Sequence, residues 1–298
     1  MSKQLSVLIL GYGEMGHAME YLLHDHFQLA IWDKYPQRGL ISIELEAAAR
    51  VADVVLFCLP VNPHREIANH IAPLLKDGCV CVSIAKGLDE AGQTTSQIFS
   101  DVFSSRQPYG LLYGPMISEE IRVGRSAFAQ LGCDADSFKT ISELFAETNL
   151  YLTHTSDIIG ISWSVILKNV YALIFGMADE LKLGDNMRGY LAVEALRELD
   201  KIVCSMGGQA GSPYHLAGLG DLITTATSEN SHHHKLGCML ARGDVNNIAC
   251  EGIHTLAMVK QHKLFDTAHY PLFRLIDSIV NQPDEVQKSI TLYLHENG

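Results

Sequence analysis

Leu5-Ser6-Val7-Leu8-Ile9-Leu10 runs without a break into Gly11-Tyr12-Gly13-Glu14-Met15-Gly16, and the reading of this junction decides the fold. A short apolar run that meets G-x-G-x-x-G and then an amphipathic stretch has the order strand, turn, helix of a dinucleotide-binding unit. Each glycine has a task in that reading. Gly11 permits the tight turn, Gly13 lets the backbone approach a pyrophosphate, and Gly16 allows the helix to pack closely. With Tyr12, Glu14 and Met15 they form the candidate cofactor-binding loop, where the first N–H groups of a helix face the anion. A glycine turn that holds no ligand is the alternative.

Outward from this junction the pattern repeats. Apolar or β-branched runs at Leu29–Trp32, Val54–Leu59, Cys79–Ile84, Gly110–Tyr113 and Ala127–Leu131 alternate with amphipathic stretches of helix length. Their near-continuous hydrophobicity predicts strands buried on both faces, and the intervening stretches predict βαβ crossovers. The expected fold class is α/β: a doubly wound parallel Rossmann-type sheet domain over residues 1–155, followed by an all-α domain over 156–298. After Ser156 strand signals nearly vanish, and long helical patterns are broken at Gly207–Gly220, Arg242–Ile248 and His269–Pro271. No Pro/Gly/Ser linker marks the boundary, so the expectation is two closely packed domains rather than tethered ones.

Ligands of such sheets sit beyond the carboxyl ends of the strands. Asp33 closes the second run, where a carboxylate accepts from an adenosine ribose hydroxyl and repels a 2′-phosphate, which favours NAD over NADP. The neighbouring Lys34 offers that phosphate a counter-charge, so NADP stays possible, and a solvated charge pair stays open for both residues. Pro60 follows the third run and Lys86 the fourth, the lysine standing where a cation faces a cofactor or an anionic substrate, or solvent alone.

Composition narrows the class. At roughly 150 residues per domain, a chain of 298 residues has room for two cores. With 47% hydrophobic and 19% charged residues it lies far from disordered, collagenous and coiled-coil chains. Lys plus Arg number 22 against 34 Asp plus Glu, a net of −12, and neither half is basic. A phosphate backbone needs many cationic contacts, so nucleic acid is excluded as the expected partner. The seven cysteines are scattered without paired C-x-x-C spacing, which fits reduced thiols, a cytoplasmic protein and no zinc site. Met1–Leu10 lacks a cleavage site and reads as a first strand, not a leader. Ile158–Phe175 is interrupted by Lys168 and Asn169 and makes a poor membrane span, so no membrane association is expected.

Ser162 to Asp179 is apolar almost all round, which predicts a buried helix, yet Lys168 stands near its middle. A buried ammonium is normally paired, lines a cleft or gives up its proton. Asp179 shares its helical stripe but lies eleven residues on, too far for contact. The predicted partner is Gly218-Leu219-Gly220-Asp221, followed by Thr225. Lysine and aspartate so paired make either a general acid/base for carbonyl chemistry or a structural salt bridge.

With these residues in place, the chain resembles the NAD(P)-dependent glycerol-3-phosphate dehydrogenases over nearly its whole length. Gly11 to Gly16, Ile31-Trp32, Leu59-Pro60, Lys86-Gly87, Gly114-Pro115 with Glu120, Lys168-Asn169-Val170-Tyr171-Ala172, Gly184 with Asn186, Gly218 to Asp221 and Glu251-Gly252 occur in the family's order. The resemblance implies that Lys168 is the catalytic lysine, with Asn169, Asp221 and Thr225 as its polar companions. It implies that Lys86 contacts substrate and cofactor, that Pro60, Ser118 and Glu251 belong to the cofactor-binding set, and that Gly114 belongs to the substrate-binding set. It also implies a homodimer and interconversion of dihydroxyacetone phosphate and sn-glycerol 3-phosphate, with the substrate between the sheet's carboxyl edge and the helical domain.

Three departures stand out. The family's phosphate-anchoring Ser-Arg-Asn reads here as Ser231-His232-His233, its Thr-Arg-Gly as Val193-Glu194-Ala195, and Met116-Ile117 replace its usual Ser-Phe. A guanidinium is a permanent bidentate fork for phosphate, whereas a neutral imidazole offers one donor. Ser231, His232 and His233 are therefore the candidate substrate-binding residues, in a solvated or substrate-facing loop with no metal. Two further readings stay open: a dehydrogenase of the same superfamily for another hydroxy or keto substrate, and a non-catalytic dinucleotide-binding module.

Overall fold

Every predicted apolar run of the first half forms a strand: β1 Ser6–Leu10, β2 Gln28–Trp32, β3 Val54–Phe57, β4 Val80–Ser83, β5 Tyr109–Tyr113 and β6 Ala127–Gly132. A seventh, β7 Leu150–Thr155, completes the sheet in the order β2-β1-β3-β4-β5-β6-β7. The helices between them are α1 Glu14–Leu23, α2 Leu45–Val51, α3 His64–Ile71, α4 Thr95–Val102, α5 Ser118–Arg122 and α6 Ala135–Phe145. The computed structural model describes residues 5–36, 43–103, 106–228, 231–244 and 249–297. Residues 1–4 of the expected first strand and 245–248 of the expected turn lie outside them. The chain divides into two units, Met1–Asp89 with Gln93–Ile158, and Glu90–Gly92 with Ile159–Gly298.

Double winding is visible within β1 itself. Val7 and Ile9 enter one core with Leu22, Leu56, Val82 and Ile141, while Leu8 and Leu10 enter the other with Phe57, Ile67, Cys81 and Phe99. Alternate side chains of a strand point to opposite faces, so both faces are covered and the strand reads as continuously apolar.

The sheet is mostly parallel, with two departures from the sequence expectation. β6 runs antiparallel to β5, pairing Leu112 with Leu131. The intervening α5 has only five residues, too few to carry the chain back along the sheet for a parallel return. The 11-residue α6 does span that distance, and β7 is parallel to β6. β7 escaped the sequence reading because Leu-Tyr-Leu-Thr-His-Thr ends in three polar residues and buries only Leu150 fully, as suits an edge strand open to solvent.

In the second unit, α7 spans Ile158–Glu180, α8 Asp185–Ser205, α9 Asp221–Thr227, α10 His232–Ala241, α11 Glu251–His262, α12 Pro271–Asn281 and α13 Val286–Asn297. No strand follows Thr155 among the described residues. By length and composition α7 would cross a membrane, but 89% of its most apolar window is buried within the protein, so it is a core helix. The stretch from Gly207 to Gly220 turns through a 3-10 segment at Ser212–Tyr214 and a widened turn at Leu216–Gly220 that leads straight into α9. The histidine tract corrects the expected loop. Ser231 caps α10 by accepting from the His234 N–H at 3.2 Å, so His232, His233 and His234 form its first helical turn. All seven cysteines are free thiols.

Candidate active-site residues

The strand order reverses between β2 and β3 on either side of β1, and the crevice at such a reversal is where open α/β sheets take ligands. Gly11 follows β1 there with φ +92°, and a Cβ on it would fall 2.6 Å from the Cys58 carbonyl oxygen. A Cβ on Gly16 would stand 2.2 Å from the Gly11 carbonyl oxygen, so α1 starts pressed against the turn. Gly13, by contrast, has nothing within 4 Å of the position a Cβ would take, which leaves its backbone open to a pyrophosphate at the start of a ten-residue helix. Gly16→Ala is therefore expected to displace the turn and weaken NADH binding by roughly tenfold or more. A fluorescence titration checks this, and unchanged affinity would count against the turn as the cofactor seat.

Asp33 accepts from the Tyr12 N–H at 2.7 Å and the Tyr35 N–H at 2.8 Å, one on each oxygen. A carboxylate has about four acceptor sites, so it retains capacity for ribose hydroxyls. Lys34 lies 3.7 Å from Glu66, and beside them a cavity of about 640 Å³ is lined by Trp32, Glu44, Ile67 and His70. The Tyr12 side chain turns away: its hydroxyl donates to Glu20, and its ring lies 3.8 Å from that of His17. Burial and that carboxylate push the phenol up to about 12.

Other predicted cofactor residues separate into backbone and side-chain roles. Met15 packs on the sheet core, leaving only its backbone for the loop. The Glu14 carboxylate faces Ser118 at 3.4 Å and Arg122 at 3.2 Å, tying α1 to α5. Lys86 and Gly114 are brought together, the ammonium 3.5 Å from the Gly114 carbonyl oxygen. Pro60 presents its carbonyl to His64, whose other nitrogen meets Ser83. Sequence reasoning missed that histidine, because a single His at a helix start gives no local signal.

In the second unit, α7 and α9 bring Lys168 to Asp221 and Thr225 as predicted. The ammonium donates to Thr225 Oγ1 at 2.6 Å and pairs with Asp221 Oδ2 at 3.1 Å. Lys168 and Asp221 are each 4% exposed. The Thr225 hydroxyl donates its own hydrogen bond to the Asp221 backbone carbonyl at 2.7 Å, which aims the hydroxyl's lone pairs at the lysine. The adjacent Asn169 donates to Glu251 at 2.8 Å. Its buried Oδ1 has no hydrogen-bond partner, an orphaned acceptor on the residue that follows the lysine. Gly252 makes this meeting possible, since a Cβ there would fall 2.6 Å from the Asn169 carbonyl oxygen.

The three histidines of α10 diverge. His232 Nε2 meets the Ala249 carbonyl at 3.1 Å, and His233 lies beside it with ring centroids 6.2 Å apart. His234 Nε2 meets Asp179 at 2.7 Å, and Asp179 also takes Arg188 at 2.6 Å. Burial raises the Asp179 carboxyl, but these two donors outweigh it and hold it below the usual aspartate range. Among the described residues no three His, Cys, Asp or Glu are grouped to hold a metal.

Family models of the N- and C-terminal parts of NAD-dependent glycerol-3-phosphate dehydrogenase match residues 34–139 and 157–291. The glycerol-3-phosphate dehydrogenase (NAD(P)+) of Mycobacterium avium is 32% identical over 252 residues, 81% of this chain and 73% of the relative. The chain belongs to the NAD-dependent glycerol-3-phosphate dehydrogenase family. It is an NAD(P)-dependent oxidoreductase acting on a CH–OH group. The glycerol-3-phosphate dehydrogenase of Moorella thermoacetica is 29% identical over 288 residues, 86% of this chain and 85% of its own. The solved glycerol-3-phosphate dehydrogenase of Coxiella burnetii shares the fold, with a TM-score of 0.83 at 22% identity over 98% of this chain and 99% of that one.

Proposed function

We propose that this family member interconverts dihydroxyacetone phosphate and sn-glycerol 3-phosphate, with Lys168 as the acid/base. The observation that carries the reading is the buried lysine held by Asp221 and Thr225. An ammonium fixed by two acceptors keeps its direction during proton transfer, which is the contribution a general acid needs. When bound, NADH supplies the hydride that goes from nicotinamide C4 to the carbonyl carbon. Lys168 donates a proton to the alkoxide oxygen that develops, and takes it back in the reverse direction. Asp221 stabilises the charged form of the lysine, and Asn169, whose buried Oδ1 lacks a hydrogen-bond partner, accepts from a substrate hydroxyl.

Residues 1–155 hold the dinucleotide in this reading, through Gly11, Tyr12, Gly13, Glu14, Met15 and Gly16 by backbone and Asp33 by its carboxylate, with Lys34, Pro60, Lys86, Ser118 and Glu251 as further contacts. Residues 156–298 carry the proton chemistry. Lys86, Gly114, Ser231, His232 and His233 hold the substrate. A cytoplasmic homodimer completes the proposal, the free thiols being its support for the compartment. The test is NADH consumption with dihydroxyacetone phosphate by the purified chain; binding of NADH without oxidation would overturn it.

A second reading, a different hydroxy or keto substrate, draws on the helix that carries Ser231-His232-His233 where the family has Ser-Arg-Asn. Ser231 Oγ is engaged as a cap and His232 Nε2 faces a carbonyl, so no permanent cation stands at this position. His232→Arg is accordingly expected to lower the KM for dihydroxyacetone phosphate about tenfold, a bidentate charge-assisted pair being that much stronger than one neutral donor. Steady-state assays with phosphorylated and unphosphorylated keto compounds separate the readings: a KM unmoved by the arginine places the phosphate elsewhere.

A further inference from the structure

The carboxyl edge of the sheet holds a buried histidine that the scheme above does not use. His64 opens α3 with no exposed surface, against the rings of Phe57 and Phe99 at centroid distances of 5.1 and 5.6 Å. Its Nδ1 lies 2.8 Å from the Pro60 carbonyl oxygen and its Nε2 2.8 Å from Ser83 Oγ. These partners fix its protonation. A carbonyl only accepts, so Nδ1 carries the hydrogen; Nε2 of the neutral ring is then the acceptor, and the Ser83 hydroxyl donates to it. Ser83 Oγ accepts in turn from the Ala85 N–H at 3.1 Å. Burial pushes the imidazole down to about 4, against the carbonyls that favour its charge, so the ring stays neutral at ordinary pH. One directed chain results, from Ala85 through Ser83 and His64 to Pro60.

Both ends of the chain lie on turns at the ligand edge. Pro60 belongs to the turn after β3, which backs directly onto the glycine turn at Cys58 and Leu59. Ala85 precedes Lys86, and its carbonyl is held from the other side by the Tyr113 hydroxyl at 2.8 Å. An aliphatic side chain would fill the space against Phe57 and Phe99 equally well. What the imidazole adds is two directional bonds, and neither belongs to the strand ladder. We propose that His64 is a positioning residue that sets the spacing between the turn carrying Pro60 and the turn carrying Lys86, and so governs affinity for dinucleotide and keto substrate while touching neither.

The proposal rests on the assignment of this edge to NADH and of Lys86 to substrate, and its test separates the two. NADH is titrated against the full-length protein by fluorescence, and NADH oxidation is followed with dihydroxyacetone phosphate. His64→Leu keeps the volume and removes both bonds. Its NADH Kd and its KM for dihydroxyacetone phosphate are each expected to rise about five- to tenfold, the scale of one lost hydrogen bond, with kcat within about twofold. His64→Gln reaches Ser83 with an acceptor and is expected to restore the KM. His64→Asn keeps the donor toward Pro60 and is expected to restore the NADH Kd. Wild-type affinities in all three variants, or losses that follow only a falling Tm, overturn the proposal. A wild-type protein that binds NADH but leaves dihydroxyacetone phosphate untouched ends the substrate reading, while the NADH titrations still decide the role of His64. No NADH binding at all ends both.

Discussion

Lys168→Met is expected to lower turnover by at least about a hundredfold while leaving NADH affinity nearly unchanged. Methionine matches the length of the lysine stem and suits the apolar walls of α7, so the change removes the ammonium and little else. It also strands the Asp221 carboxylate, 4% exposed, with no cation at 3.1 Å. Breaking a buried pair from one side is destabilising, by about 3–5 kcal/mol in measured cases. Loss of activity through misfolding must therefore be told apart from loss of the acid. The pair Lys168→Met with Asp221→Asn removes the stranded charge, and it is expected to recover most of the stability and none of the turnover. Stopped-flow NADH oxidation with urea midpoints for both variants makes the comparison. A fully active Lys168→Met protein would remove the lysine from the mechanism and leave the pair a strut between α7 and α9.

What could be read from the sequence was whatever local pattern encodes. Strands buried on both faces announce themselves as apolar runs, and the order of glycines after β1 fixed the turn that Gly11 and Gly16 make. The meeting of Lys168 with Asp221 was also legible, because a lone cation on an apolar helix demands a partner and few carboxylates lie in apolar surroundings. The partly exposed edge was not: β7 is polar in its second half and buries only Leu150 fully, and the reversal of β6 depends on how short α5 is. The histidine tract misled for a related reason. Three histidines after Ser231 look like a loop, and only the capping bond that Ser231 accepts shows that they begin α10. His64 and Ser83 are nineteen positions apart and carry no shared motif, so their bond follows from strand order alone.

Glu198→Ala is expected to cost about 3–4 kcal/mol of stability, for a reason equally hidden from local sequence. Tyr270, before α12, gives no side-chain cap, and Pro271 begins the helix without an N–H to satisfy. The next two donors are taken by a residue of α8: Glu198 Oε1 accepts from the Leu272 N–H at 2.6 Å and Oε2 from the Phe273 N–H at 2.9 Å. The Tyr171 hydroxyl of α7 donates to the same carboxylate at 2.9 Å, so one buried side chain caps α12 and joins it to two other helices. Alanine leaves three buried donors unsatisfied, and relief of the desolvated charge offsets only part of that cost. The pH dependence has a definite sign. Burial raises the Glu198 carboxyl above its ordinary value of 4.5, against the three donors that lower it. The folded protein thus binds the proton more readily than the unfolded chain. This group's contribution is fully present below the unfolded-state value and declines as pH rises through the folded one. The stability gap between wild type and Glu198→Ala is therefore larger at pH 4 than at pH 8, as urea midpoints at the two values would show. A gap that instead widened with pH would mean that the carboxylate is bound here as a fully ionised cap.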